Sequence, residues 1–335
     1  MSPQKGQPQQ QAVAIPTALG SVDADRAKVI ELVKALEAER GNRVLIYWAS
    51  MVARISESVV VPFYDQLRPK GKQKRVDVVL FTMGGDAEAP WPIVSMLREY
   101  CDELGVIVPH RAHSAGTLMA LGADEIVMTP LGTLGPIDPT RTHHLLPKRK
   151  DADISEPISV QDMRHAMEFV RTAFGPTTTY TPEAMATILT ELFDKVHPLA
   201  IGAIEQTYAL AKLIAKQCLA THMDPATEGA KIDEITNQLC DAYKSHSYEI
   251  NRKEARAIGL KATDASPTLE TILVEVLKFY GSRPVFPTPL PPKHGVFSAA
   301  IAWLESADLQ YRVEAQYQVG DDGQPKYLGD RWTPY

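Results

Sequence analysis

Hydrophobic positions begin to organise at about residue 23. Over 23–40, Val29, Leu32, Val33 and Leu36 recur at helical spacing, and Ser21 or Asp23 stands where a cap is needed. Gly41-Asn42 ends that helix, and RVLIYWAS (43–50) follows as an unbroken apolar run, the pattern of a buried strand. After a helical or looped stretch, residues 75–82 (RVDVVLFT) repeat that pattern and stop at Gly84-Gly85. Residues 87–104 read as a helix, with Pro90 and Pro92 confined to its first turns. A strand over 105–112, a short helix over 113–123 and a strand over 124–130 follow. Strand–helix alternation with tight connections predicts parallel strands and right-handed crossovers.

The second half is more helical. LGTLGPIDP (131–139) is a Gly/Pro turn, and 140–157 is polar, basic and loop-like. Helices are expected over 158–174, capped by Ser159 with Asp162 three residues on, over 182–196, from Pro198 to about Met223, and over 227–243. Residues 282–293 (SRPVFPTPLPPK) form a Pro-rich linker, and 308–328 read as a hairpin around Asp321-Asp322-Gly323. Residues 1–22 are rich in Gln and Pro and offer little to bury, so a disordered tail is expected. The division is therefore a tail (1–22), an α/β domain (23–281), a linker (282–293) and a C-terminal extension with a β-hairpin (294–335).

Composition narrows the function classes. The 335 residues are 44% hydrophobic and 23% charged, enough for a sizeable core. A net charge of −6 is not the footprint of a nucleic-acid binder, and the basic stretches at 70–75 and 148–150 read as solvated loops. Cys101, Cys218 and Cys240 are odd in number and match no metal or redox spacing, which points to free thiols in a reducing compartment. Neither a signal peptide nor a membrane span is expected, so the chain is placed in the cytoplasm.

Two short motifs carry the candidate chemistry. Thr82-Met83-Gly84-Gly85-Asp86 joins a strand to a helix, where paired glycines let backbone N–H groups face a ligand. His113-Ser114-Ala115-Gly116-Thr117 opens the next helix. Alone, Ser114 reads as an N-cap. On consecutive βα units, however, both turns open onto the same sheet edge. A serine facing a double glycine is the layout of an acyl-transfer site.

The stretch from Val76 to Pro139, with a strand ending in Gly-Gly, Ser-Ala-Gly opening a helix, and then ADEIVMTPLGTLGPIDP, resembles the Clp-protease/crotonase superfamily. With HPLAIGAIEQ (197–206) and SHSYEINRKEARAIGL (245–260), it resembles more narrowly the serine dehydrogenase proteinases. The resemblance covers about residues 25–262. It implies a ClpP/crotonase-type superhelix with helical additions, and a serine peptidase acting on peptide or protein substrates. Ser114 then matches the nucleophile, and Gly84, Gly85 and the Ala115 N–H match the oxyanion hole. Asp138 and His246 match the other two catalytic members, in a Ser, Asp, His chain order. A homo-oligomer follows by the same analogy, and an ATPase partner stays open.

The base is less determined by chemistry than the nucleophile. It must reach the serine hydroxyl, with the carboxylate behind the imidazole. Taking the Clp-protease positions as they stand would put Asp138 beside Ser114 and His246 behind it. His197, otherwise a helix-start histidine, and Lys148, otherwise a surface lysine, are the alternative bases. His113 should point away from the site, and His143-His144 has no metal-ligand partners. No metal, nicotinamide or other cofactor is expected. Two other readings remain: a crotonase-type enzyme acting on acyl-thioesters, and a non-catalytic oligomeric scaffold of the same fold.

Overall fold

The structure, a computed structural model, describes residues 22–146, 158–173 and 181–335. The expected N-terminal tail up to residue 21, and Lys148 with most of the basic loop, lie outside the described residues.

Helix α1 (Val22–Arg40) leads into strand β1 (Arg43–Ala49). Then come α2 (Val60–Leu67), β2 (Gln73–Phe81), α3 (Pro90–Tyr100), β3 (Cys101–Val108), β4 (Arg111–Ala112), α4 (Ala115–Ala120) and β5 (Glu125–Met128). Short strands β6 (Thr133–Leu134), β7 (Thr140–Arg141) and β8 (Ile158–Ser159) precede the helices α5 (Val160–Thr172), α6 (Pro182–Lys195), α7 (Pro198–Ala220) and α8 (Pro225–Asn237). The chain closes with β9 (Ile250–Asn251), α9 (Arg252–Ile258), β10 (Ala262–Asp264), α10 (Pro267–Gly281), β11 (Val296–Glu305), β12 (Gln310–Val319) and β13 (Pro325–Pro334).

Eight strands form one sheet in the order β10-β5-β3-β2-β1-β11-β12-β13. The first five are parallel, and the last three run antiparallel to their neighbours. Both faces of the parallel part are covered, which explains its continuous apolar runs. Leu45 and Tyr47 of β1 and Val76, Val78 and Leu80 of β2 pack with α2, α3, α4 and α7. The alternate residues Val44, Ile46, Trp48, Val79 and Phe81 pack with α1 and α10. Strand order follows chain order while α2, α3 and α4 stay on one face. Successive crossovers of one hand on one face wind the chain into a superhelix rather than a doubly wound sheet. This is the ClpP/crotonase-type α/β architecture that the resemblance implied.

Several expected boundaries move. The helix expected over 87–104 ends at Tyr100, and residues 101–104 begin β3, because Cys101 and Glu103 pair in register with Gln73 and Arg75 of β2. The strand expected over 105–112 breaks after Val108, and Arg111–Ala112 joins a separate small sheet, β4-β6-β9. The helix expected to run to 243 ends in a wider π turn over Gln238–Ala242. The hairpin expected over 308–328 is β12–β13, closed at Gly320 to Gln324, and β11 joins it to the central sheet through β1.

The parallel core also hides a charge. Asp77 on β2 is fully buried and accepts from Arg40 Nε (2.6 Å) and Arg75 Nε (3.0 Å). Glu125 on β5 binds the free ends of both arginines at 2.8 and 2.5 Å. A buried carboxylate without such partners would be strongly destabilising.

Candidate active site

The segments that follow β1 and β2, with the start of α4, enclose a cleft of 830 Å³. Ser114, Met83, Gly84, Gly85, Pro139 and His246 are among its lining residues. The cleft also carries Arg54, Glu57, Asp86, Glu88 and Arg141, so it is polar as well as open.

Ser114 occupies the N-cap position of α4, yet its side chain makes no capping hydrogen bond. Its backbone lies at φ 52°, ψ −113°, a region that L-residues rarely occupy. A serine serving as a cap adopts extended backbone and turns its hydroxyl onto the helix amides. Here the hydroxyl is released from that task and stands half-buried at the cleft wall. This strained strand-to-helix turn is the conformation by which hydrolases present a nucleophile.

The double glycine has two separate causes. At Gly84, φ is +120°, and a Cβ would lie 2.8 Å from Ser114 Cβ and 3.2 Å from its Oγ. At Gly85 a Cβ would strike the Ile55 backbone, 2.2 Å from its oxygen and 2.3 Å from its nitrogen. The first glycine makes room for the serine; the second lets the Ile55 segment close against the turn.

Hydrogen bonding decides which N–H groups are left free at this turn. Gly84 N–H donates to Thr82 Oγ1 at 2.9 Å and is therefore occupied. Ile55 N–H donates to Gly84 C=O, and Asp86 N–H to Ile55 C=O, both at 2.9 Å. A trans peptide sets the Gly85 N–H opposite the Gly84 C=O, so it points away from Ile55. Neither Gly85 N–H nor Ala115 N–H has a partner among the described residues. Of the three donors expected from the sequence, these two are unengaged.

The hydroxyls of Thr82 and Thr117 were not singled out in the sequence, yet they hold the site together. Thr117 Oγ1 lies 2.9 Å from the carbonyl oxygens of Ala112 and Gly135 and accepts the Gly135 N–H at 3.0 Å. It ties α4 to the 133–139 turn. A threonine two residues before the Gly-Gly, and another three after the serine, were the only signals in the sequence, and threonines there have many other uses.

The remaining candidates separate clearly. Asp138 is buried, 7% exposed, beside the Ser159 hydroxyl and the Gln161 N–H. Burial raises its pKa above the usual carboxylate value, and the charge of His246 acts against that rise. Its Oδ1 has no hydrogen-bond partner among the described residues. His246 is exposed in the 245–248 turn and lines the Ser114 cleft. His197 caps α7, with Nδ1 accepting the Leu199 N–H at 3.2 Å, and does not line the cleft. His113 turns away as expected: its Nε2 meets Thr133 Oγ1 at 2.9 Å, and burial depresses its pKa to about 4. His143 and His144 stack on each other.

Among the described residues no group of three or more His, Cys, Asp or Glu side chains is placed to hold a metal. The three cysteines are buried, and burial raises their thiol pKa values to about 11 for Cys101 and about 12 for Cys218 and Cys240. None is activated as a nucleophile. No helix among the described residues is long and apolar enough to cross a membrane.

A strained serine without a capping bond, in one cleft with the double glycine, coincides with a family match. Residues 19–151 fit the model of the ClpP-like SDH-type serine proteinases. This stretch of the chain is similar to that family. Both motifs and Asp138 lie within the match; His246 and the last three strands lie beyond it. Two similar proteins come from Methanocaldococcus jannaschii. Uncharacterized protein MJ0137 is 25% identical over 239 residues, covering 68% of this chain and 69% of its own length. Uncharacterized protein MJ1495 is 32% identical over 127 residues, covering 33% of this chain and 42% of its own length.

Two solved structures of a 1510-N membrane-bound stomatin-specific protease are also similar. The first, a serine-to-alanine mutant, is 16% identical with a TM-score of 0.36, covering 68% of this chain and 79% of its own. The second, a lysine-to-alanine mutant in complex with a substrate peptide, is 17% identical with a TM-score of 0.34, covering 63% and 71%. Scores this low carry no argument about the present chain.

Proposed function

We propose that this chain cleaves peptide bonds through an acyl-enzyme formed on Ser114. The observation that carries the reading is the Ser114 backbone at φ 52° without a capping bond, set against Gly84-Gly85 in an open cleft. Ser114 Oγ attacks the scissile carbonyl, and the developing oxyanion receives the Gly85 and Ala115 N–H groups. His246 takes the hydroxyl proton and returns it to the leaving amine. Its presence in the Ser114 cleft supports this role, and the helix-capping bond of His197 argues against the alternative base. Asp138, with an unpartnered Oδ1 and within the field of His246, is the carboxylate that steadies the imidazole as it gains charge.

The test combines a fluorophosphonate probe with hydrolysis of an unfolded protein. Wild type should be labelled on Ser114, and Ser114→Ala should lose labelling and hydrolysis together. His246→Ala should slow labelling by about 10²–10⁴-fold, while His197→Ala should stay within about twofold, as expected of an exposed helix cap. Undiminished labelling of Ser114→Ala would overturn the proposal. Full activity of His246→Ala would transfer the base role elsewhere, with Lys148 the next residue to replace.

A further inference from the structure

A second cleft, of 490 Å³, adjoins the first. The two share Val52, Ala53, Arg54, Ser56, Ser58 and Asp86, so the 52–58 segment is a common wall. Its chemistry is different. Its lining includes Tyr47, Ile301, Val313, Tyr317, Tyr327 and Trp332, with Arg54, Asp86 and Asp330 supplying charge. An apolar cavity of this volume with a few polar groups is of the kind that binds ligands.

The cavity is held in shape by its own contacts. Phe286, from the Pro-rich segment, packs edge-on against Tyr317 at 5.0 Å between ring centroids. Trp332 on β13 donates from Nε1 to Ser58 Oγ at 3.1 Å, fastening the C-terminal strands to the shared wall. Floor and far side come from β11, β12 and β13, outside the stretch that matches the family.

The shared wall also presents backbone. Ile55 directs its N–H and C=O at the Gly84–Asp86 segment. Trans peptide geometry then turns Arg54 C=O and Ser56 N–H the other way, and neither has a partner among the described residues. An open strand edge of this kind accepts an extended peptide. Three extended residues span about 10 Å, so a chain lying along this edge reaches from one cleft into the other.

We infer that the second cleft is a substrate subsite for an aliphatic or aromatic side chain of the peptide, a few residues from the scissile bond. The inference rests on the proposed peptidase reading of Ser114 for its occupant. The C-terminal strands thus act as the module that selects apolar segments, the kind exposed when a protein unfolds. The polar Ser114 cleft handles the bond, and the aromatic cleft holds the sequence.

Binding tests this without catalysis. Fluorescence anisotropy would compare the Ser114→Ala protein with two labelled peptides that differ only in a Leu-Phe pair against a Ser-Asp pair. The apolar peptide should bind about tenfold or more tightly. Tyr327→Arg, at a position 56% exposed, should erase that difference while leaving the polar peptide within twofold. Trp332→Phe, which keeps the ring and removes the donor to Ser58, should weaken apolar binding less than Tyr327→Arg does. Equal binding of both peptides, or a preference that survives Tyr327→Arg, would overturn the subsite. Fluorophosphonate labelling of wild type reports separately on Ser114. Absent labelling with selective binding would refute the serine reading and leave a peptide-binding groove.

Discussion

Replacing Ser114 by Gly and by Ala separates a strained nucleophile from a helix cap by the sign of a stability change. At φ 52°, ψ −113°, a residue with a Cβ sits outside its favoured backbone regions, at a cost of about 1–3 kcal/mol. Ala retains that strain and removes a hydroxyl that makes no capping bond, so Ser114→Ala should be nearly neutral. Gly relieves the strain but loses about 0.4–1 kcal/mol through the greater freedom of the unfolded chain. The net expectation is a gain of about 0.5–2 kcal/mol over both wild type and Ser114→Ala. A true cap gives a different order: Ala would cost about 0.5–2 kcal/mol and Gly a few tenths, leaving both below wild type. Urea unfolding followed by circular dichroism, with the denaturant slope checked for constancy, measures the three proteins side by side. Both variants should be inactive. Ser114→Gly falling below wild type would refute the assignment of strain, and with it the structural ground for calling Ser114 a presented nucleophile.

Gly85→Ala keeps the N–H, but its Cβ would strike the Ile55 backbone and push the turn out of place, so labelling should fall by up to about 10²–10³-fold, the scale of a misplaced oxyanion donor. It should also lower stability by about 1–3 kcal/mol through overpacking against Ile55; labelling at the wild-type rate would remove the Gly85 N–H from the site. Glu305 is fully buried and receives the hydroxyls of Tyr280 and Tyr335, and burial lifts its pKa from an ordinary 4.5 to about 7. A carboxyl with a raised folded pKa keeps its proton after the unfolded chain has lost it. Stability should therefore fall by about 3 kcal/mol as pH rises from about 4.5 to 7 and then level off. Glu305→Gln should flatten that slope in urea titrations at pH 5, 6, 7 and 8, and an unchanged slope would refute the linkage.

The sequence by itself determined the parallel core and the two turns that meet at the Ser114 cleft. Strands buried on both faces must be apolar throughout, and RVLIYWA and RVDVVLF announce that directly. Gly84-Gly85 and Ser114 were legible as a pair because close backbone approach at the two turns tolerates few residue types. The Ser159 cap with its Asp162 partner was legible for a similar reason, since its reciprocal bonds depend only on local spacing.

Tertiary structure decided everything that depends on pairing across the chain. CDEL (101–104) follows a helix and reads as its continuation, but its register with β2 draws it into a strand. The alanine-rich β11 carries a weak strand signal. It becomes a strand because it lies antiparallel to β1, with Trp303 opposite Trp48. Among the histidines, local sequence could not tell a cap from a base. His197 is turned inward onto its own helix, whereas His246 is brought to the Ser114 cleft by the turn ahead of β9, which pairs with β6. The same holds at Ser114. Its identity was written in the chain, but the backbone angle that frees its hydroxyl exists only because β4, the Gly84 turn and the Thr117 anchor converge on it.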